Sequence, residues 1–156
     1  MLSGSVAMSI YVLPRATRDF DFVVNLQEKD IVLLIEHFGE GYYCDEDAVK
    51  DAVRRKSMFN IIDHTSGYKA DFVILKDEDF RITEFNRRIQ ADFFGTPIHI
   101  VSAEDLLLSK LIWIQQLQSA IQKEDIINLA AITALDKAYV NFWIDKLNLD
   151  TFGLIK

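Results

Sequence analysis

The stretch PRATRDFDFVV, residues 14–24, combines acids and apolar residues in a pattern typical of a strand beside a site. Asp19 and Asp21 are two residues apart, and on a β-strand this spacing directs both side chains to the same face. Phe20, Phe22 and the valines after them are residues that a strand buries. Because a carboxylate beside a sheet core is costly without a partner, a cation between the two acids explains them best.

Two other segments add chemistry to this strand. Upstream, Gly4 and Ser5 form a turn before the short apolar segment 6–13, and downstream Asp71 is the single acid of the apolar pattern ADFVIL. Carboxylates that face one way from neighbouring strands suit Mg²⁺ or Mn²⁺, which take oxygen ligands. The residues alone leave a second interpretation open, since Asp-x-Asp is common on solvated strands and Asp71 would suit an exposed edge.

Composition limits the class of protein. The chain has 156 residues, half of them hydrophobic, which is typical of one folded domain with one core. Its formal net charge of −7 argues against non-specific nucleic-acid binding, which requires a basic surface. That charge is compatible with a nucleotide that arrives with a metal ion, because the ion supplies positive charge locally.

Cysteine and histidine usage indicates no zinc site. The single cysteine, Cys44, excludes an internal disulfide and is expected as a small buried residue. The histidines, at positions 37, 64 and 99, are scattered and form no cluster with it. No apolar run reaches the roughly 20 residues of a membrane span, and no signal-peptide pattern is present, so a cytoplasmic protein without membrane contact is expected.

Hydrophobic periodicity predicts one α+β domain over residues 1–156, with 100–156 mainly helical. The predicted strands are 19–26, 42–45, 58–63, 68–75, 88–94 and 98–101, with hairpin turns at 64–67 and 95–97. The predicted helices are 4–13, 28–38, 46–56, 103–118, 122–133 and 136–147. Ser102 is the expected N-cap of the fourth helix, and segment 76–85 is ambiguous. Together these elements indicate a small mixed sheet with C-terminal helices packed on it.

In this order, the Gly-Ser turn, the Asp-x-Asp strand and the later strand aspartate resemble the site pattern of the nucleotidyltransferase superfamily, which includes DNA polymerase beta. The sequence resembles most the small bacterial and archaeal nucleotidyltransferase-like proteins related to the AbiEii toxin group, and a neighbouring family of unknown function. The residues that match their N-terminal motif are Gly4, Ser5, Ala7, Pro14, Arg15, Thr17, Asp19 and Asp21. The residues that match their later motifs are Asp71, Glu104, Asp105, Leu106, Lys110, Leu111 and the acidic helix start 123–127.

This resemblance spans about residues 4–129, and a weaker one exists to lincosamide and aminoglycoside nucleotidyltransferases. It implies a nucleotidyltransferase-like fold and transfer of a nucleoside monophosphate from a nucleoside triphosphate to an acceptor hydroxyl. It also implies that Asp19, Asp21 and Asp71 hold Mg²⁺ or Mn²⁺, with Asp71 able to accept the acceptor's proton. The nucleotide contacts that it implies are Gly4, Ser5, Arg15, Arg18 and Lys110.

The basic residues keep alternative interpretations. Arg15 and Arg18 would also serve as charge balance for the acids, and Lys110 would extend to solvent from the margin of an apolar helix stripe. The run 54–56 fits a solvated helix end or a guide for an RNA acceptor.

Two features depart from the family pattern. Ser5 replaces the second glycine, and only three residues precede Gly4, where relatives have a helix and part of a strand. The expectation is that these elements were lost or that the annotated start is late. In the first case, dimerisation to a homodimer would cover the exposed core.

Three functions remain from the sequence. The first is a metal-dependent nucleotidyltransferase with an unknown acceptor (RNA, protein or small molecule), related to toxin–antitoxin systems. The alternative is a non-catalytic nucleotide- or protein-binding module of the same fold, similar to an antitoxin, and the third is a purely structural α+β protein. Three converging acids favour the enzyme, because a module without chemistry does not need them.

Overall fold

A computed structural model describes residues 1–155, which form a seven-stranded mixed sheet and seven α-helices. The strands are β1 Leu2–Ser3, β2 Asp19–Val24, β3 Tyr42–Cys44, β4 Met58–Asp63, β5 Lys69–Ile74, β6 Ile89–Phe93 and β7 Thr96–Ile100. The helices are α1 Gly4–Met8, α2 Ile31–His37, α3 Glu46–Arg55, α4 Asp79–Asn86, α5 Ala103–Ile114, α6 Ala120–Ala130 and α7 Lys137–Leu147. A 3₁₀ turn, Glu28–Asp30, leads into α2.

The strand order is β3-β4-β5-β2-β1-β7-β6. The parallel pair β2–β5 lies centrally, and the hairpins β4–β5 and β6–β7 are antiparallel. β1 is antiparallel to β2 and parallel to β7, so Leu2 pairs with both Phe22 and Ile100. The first residues of the chain therefore join the two halves of the sheet.

The alternation in β2 and β5 gives the sheet an apolar face and an acid face. Phe72 stacks on Phe22 at 5.4 Å and on Phe59 at 5.1 Å between ring centroids. On this apolar side, one buried cluster includes residues of α1, α5, α6 and α7, and a second includes residues of α2, α3, β4 and β5. The aspartates of β2 and β5 have the opposite parity and lie on the acid face.

Most predicted elements are present, and the α+β prediction is confirmed. Ser102 caps α5 as predicted, since its hydroxyl accepts the N–H of Asp105 at 3.2 Å. The ambiguous segment contains α4, and α1 ends at Met8, although hydrogen-bonded turns continue to Val12. β1 was not predicted, because two residues are too short to show a period.

The burial of Cys44 and the lengths of the helices bear on two predictions from the sequence. Cys44 is half-buried rather than buried, and it packs against the second cluster. Among residues 1–155, no helix has the length and apolar character that crossing a bilayer requires.

Candidate active site

Asp21 and Asp71 are direct cross-strand neighbours on the acid face. The parallel register of β2 and β5 pairs Asp21 with Asp71 and Asp19 with Lys69. Paired residues of adjacent strands share a face, so both acids and Lys69 project the same way as Asp19. Asp71 is only 8% exposed, whereas 51% of the Asp19 side chain is exposed. The sheet thus presents a buried acid, Asp71, beside a half-buried one, Asp21, with a third at its margin.

Gly4 lies directly against the Asp21 carboxylate. Its φ is +63°, and a Cβ built on it would be 1.9 Å from Asp21 Oδ2 and 2.6 Å from Asp21 Cγ. Any larger residue would collide with the acid and would also strain the backbone. The sequence therefore needs glycine here, at the first residue of α1, because the chain turns tightly from β1 over Asp21.

Electrostatics at Asp21 reflect this crowding. Burial raises the pKa of Asp21 above its ordinary value, and the neighbouring charge of Asp71 raises it further. The positive charges of Lys110 and Lys69 lower it in part. A carboxyl whose pKa is raised by burial and by a second acid is typical of a functional site.

Lys69 supplies positive charge to this face. Its Nζ is 2.8 Å from Asp71 Oδ2 and 4.0 Å from Asp19 Oδ1. The hydrogen bond to Asp71 raises the pKa of Lys69, so the amine is held as an ammonium. The other oxygen, Asp71 Oδ1, is buried and has no hydrogen-bond partner within residues 1–155. An unpaired buried carboxylate oxygen is costly, and it is a free position for a ligand.

The donor set fits a hard divalent cation, because adjacent carboxylates with an unpaired buried oxygen are the ligands that Mg²⁺ and Mn²⁺ prefer. Within residues 1–155, however, no three acidic, histidine or cysteine side chains are grouped closely enough to hold a metal ion. The predicted ligands Asp19, Asp21 and Asp71 are therefore neighbours that do not form a ready-made three-ligand group. Their role as ligands stays a prediction.

A second cluster, the Asp125 network, holds the predicted nucleotide contacts. Arg15 donates to Asp125 Oδ1 from Nε at 3.0 Å and to Oδ2 from Nη2 at 2.9 Å. Lys110 Nζ donates to the same Oδ2 at 2.7 Å, and Arg15 Nη2 also donates to Ser5 Oγ at 2.5 Å. Ser5 follows Gly4, so this network borders the turn that covers Asp21.

Asp125 orients these cations from a buried position, with only 2% of it exposed. Burial by itself would raise the pKa of Asp125, but hydrogen bonds from Arg15 and Lys110 outweigh it, and the pKa lies below its ordinary value. Asp125 lies in the matched segment 123–127, but it was not among the site residues predicted from the sequence. The signal that could have found Asp125 was its position directly before Ile126, an apolar residue that α6 buries.

The structure thus brings Gly4, Ser5, Arg15, Lys110 and the three aspartates into one region. Arg18 is exposed and, in the described part of the chain, forms no ion pair or side-chain hydrogen bond. In the run 54–56, Arg54 and Arg55 pair with Asp51 at the end of α3, as a solvated helix end would.

Among the comparisons with known proteins, the one with solved structures found similarity. No protein-family model and no curated protein matches the sequence. The chain is similar in structure to the lincosamide antibiotic adenylyltransferase LnuA bound to lincomycin, with 15% identity, a TM-score of 0.52 and 85% of each chain covered. It is also similar to an antigenic nucleotidyltransferase-like protein from Paracoccidioides brasiliensis, with 12% identity, a TM-score of 0.49, and 94% of this chain and 77% of that one covered.

At these identities the likeness shows the fold alone. The chain therefore has the nucleotidyltransferase-like fold that the sequence predicted. Neither solved structure is described as an AbiEii-type protein, so that closer relationship stays a prediction.

Proposed function

We propose that this chain is a metal-dependent nucleotidyltransferase, which moves a nucleoside monophosphate from a nucleoside triphosphate to an acceptor hydroxyl. The observation that supports this most is the pairing of Asp21 with Asp71 across β2 and β5, with Gly4 packed on Asp21. The fold that the chain shares with a lincosamide adenylyltransferase is consistent with it.

The residues divide the reaction between them. Ser5, Arg15 and Lys110 would contact the triphosphate, because they offer a hydroxyl and two cations that Asp125 holds in place. Asp19, Asp21 and Asp71 would hold Mg²⁺ or Mn²⁺, which stabilises charge on the attacking and leaving oxygens when bound.

Asp71 would act as the general base, because its Oδ1 has no hydrogen-bond partner within residues 1–155. The acceptor oxygen would form a bond to the α-phosphorus while the bond to the bridging oxygen breaks and pyrophosphate leaves. The acceptor's proton would pass to the unpaired carboxylate oxygen.

The net charge of the chain bears on which class of acceptor molecule it would modify. The net charge of −7 disfavours a long polyanion, so a small hydroxyl-bearing molecule or a protein side chain fits better than RNA. The lincosamide named for LnuA is one such small acceptor to test. A cytoplasmic role in a toxin–antitoxin system, with or without a homodimer, is part of the same proposal.

A transfer assay tests the activity. Each of the four nucleoside triphosphates, labelled at the α-phosphate, is incubated with Mg²⁺ and extract of the source cell. We expect label on an acceptor with the wild type and with Arg54→Ala, whose arginine is exposed on α3. We expect severe loss with Asp71→Asn, which keeps the shape but removes the charge. Absence of transfer from all four nucleotides would contradict the enzyme.

One observation favours the second candidate, a non-catalytic nucleotide- or protein-binding module. Lys69 pairs with Asp71, and the acids do not form a three-ligand group in the described chain. Such a module would bind a nucleoside triphosphate in equilibrium dialysis and transfer nothing in the assay above.

A further inference from the structure

Lys69 lies where a cation for the acids would lie. The register places it opposite Asp19 and two residues before Asp71, so all three side chains share the acid face. Its ammonium is 2.8 Å from Asp71 Oδ2 and within ion-pair distance of Asp19 Oδ1. In residues 1–155 no other cation forms an ion pair with Asp19, Asp21 or Asp71.

The lysine competes with a metal ion for the same oxygen. Asp71 Oδ2 accepts its hydrogen bond from Lys69, which leaves only Oδ1 unpaired. A divalent cation that takes Asp71 Oδ2, or that joins Asp71 to Asp19, would meet the ammonium at close range and be repelled by it. The Lys69 side chain is 35% exposed and has a flexible four-carbon stem, so it has a route to solvent.

We propose that Lys69 is a built-in counter-ion of the acid face, which stabilises the metal-free site and must leave Asp71 before a divalent cation binds. The inference rests on the proposed function, since it assumes that Asp71 is a metal ligand. It explains how the fold keeps the buried Asp71 beside the half-buried Asp21 without a metal ion, because the ammonium offsets their repulsion.

Direct Mn²⁺ binding tests this. The free Mn²⁺ signal in electron paramagnetic resonance gives the Kd of the wild type, Lys69→Met, Lys69→Arg and Asp71→Asn. We expect Lys69→Met to bind about five- to twenty-fold more tightly, because a charge-assisted hydrogen bond no longer competes. Lys69→Arg keeps the charge and should bind no more tightly than the wild type. Lys50→Met is the matched control, because within residues 1–155 Lys50 forms its one ion pair with Glu46, on the exposed side of α3.

A second measurement uses the wild type alone, in case Lys69→Met does not fold. An amine-acetylating reagent modifies free lysines, and peptide mass spectrometry gives the rate at each residue. Saturating Mg²⁺ should raise the acetylation rate of Lys69 several-fold, while the rate at Lys50 stays constant. In Asp71→Asn, Lys69 should react quickly with and without Mg²⁺, because its partner has lost its charge.

The outcomes separate this inference from the proposed function. If Mn²⁺ binds the wild type and Asp71→Asn abolishes binding, but Lys69→Met binds equally or more weakly, the metal site stands and the role of Lys69 is wrong. An unchanged acetylation rate at saturating Mg²⁺ would overturn that role as well. If Mn²⁺ binds neither the wild type nor any Lys69 variant, the metal site fails and the inference fails with it.

Discussion

At the scale of single residues, Gly4 and Asp21 show how tightly the backbone encloses the candidate site. Gly4 contributes no side chain, yet a methyl group on it would occupy the space of the Asp21 carboxylate. Asp21 in turn stays in an environment that disfavours its charge. Both residues are therefore expected to lower activity when changed, but with opposite effects on stability.

Gly4→Ala should strongly destabilise the protein and abolish transfer. The new Cβ collides with Asp21 and the left-handed backbone adds strain, so we expect a loss of about 3 kcal/mol or more in the free energy of unfolding. Gly67→Ala is the control, because Gly67 also has a positive φ of +71° but nothing lies within 4 Å of its Cβ position. It should cost only about 1 kcal/mol. Urea denaturation measures the free energy of unfolding of both variants. If both lose the same amount, contact with Asp21 is not what requires glycine at position 4.

Asp21→Asn should stabilise the metal-free protein at pH 7 while transfer is lost. The raised pKa means that the folded state binds a proton more tightly than the unfolded state. The free energy of unfolding of the wild type therefore falls as pH rises from the ordinary value of 3.8 through the raised folded value. The Asp21→Asn variant lacks this pH dependence. Its free energy of unfolding should therefore exceed that of the wild type above this pH range and match it below.

Denaturation in EDTA at a series of pH values measures this difference. Asp92→Asn, in exposed β6, controls for the general effect of removing one negative charge. A lower free energy of unfolding for Asp21→Asn at pH 7 would mean that the charged form is stabilised by contacts other than a metal ion.

At the scale of elements, α6 positions the predicted phosphate contacts although none of them belongs to it. Arg15 lies in the loop before β2, Lys110 lies on α5, and both reach Asp125 on α6. The ion pairs connect the loop and α5 to the helix packed beside them. The geometry of the proposed triphosphate site should therefore depend on α6.

Asp125→Asn should weaken nucleotide binding and destabilise the fold at neutral pH. The lowered pKa of Asp125 means that its contribution to stability is present above the ordinary value of 3.8 and is lost as pH falls through the folded value. We expect a loss of about 2 kcal/mol at pH 7, since a buried acid loses its charge and two cations lose their partner. KM for the nucleotide should rise more than kcat falls.

Asp51→Asn is the matched control for this change. Asp51 also pairs with two cations, Arg54 and Arg55, but on an exposed helix surface. Its loss should cost no more than roughly 0.5 kcal/mol. If both variants lose equal stability and leave KM unchanged, the Asp125 network does not organise the nucleotide site.

Sequence patterns predicted the elements better than the contacts between them. The period of two in β2 and β5 and the turn between β4 and β5 are local signals, and they predicted these strands and the common face of Asp19 and Asp21. The pairing of Arg15 with Asp125 joins residues 110 positions apart, and no local pattern encodes it. From the sequence alone, Lys69 was predicted only to belong to a strand, because its proximity to Asp19 depends on the register between β2 and β5.

At the scale of the whole molecule, helices cover the apolar face of the sheet, and the acids lie on the opposite face. The two buried clusters of the apolar face meet at the stacked rings of Phe22 and Phe72. A ligand on the acid face would bind the folded chain only, because Asp21 and Asp71 are neighbours only when β2 and β5 pair.

Mg²⁺ with a non-hydrolysable nucleoside triphosphate should therefore raise the melting temperature. At about one hundred times Kd the gain is about 2.7 kcal/mol, which corresponds to roughly 5–10 °C for a chain of this size. Differential scanning fluorimetry measures the shift. Asp71→Asn with the same additions should show little of it, and an unmoved wild type would count against the metal–nucleotide site.

The position of β1 has a consequence for the order in which the chain matures on the ribosome. Leu2 is synthesised well before one of its strand partners, Ile100, and Asp21 is likewise synthesised before Asp71. Pairing across such sequence separations is slow compared with closing a hairpin. A nascent chain that ends before β5 has both acids of β2 but lacks Asp71 and Lys69. The acid pair can therefore form only after the hairpin β4–β5 has been synthesised.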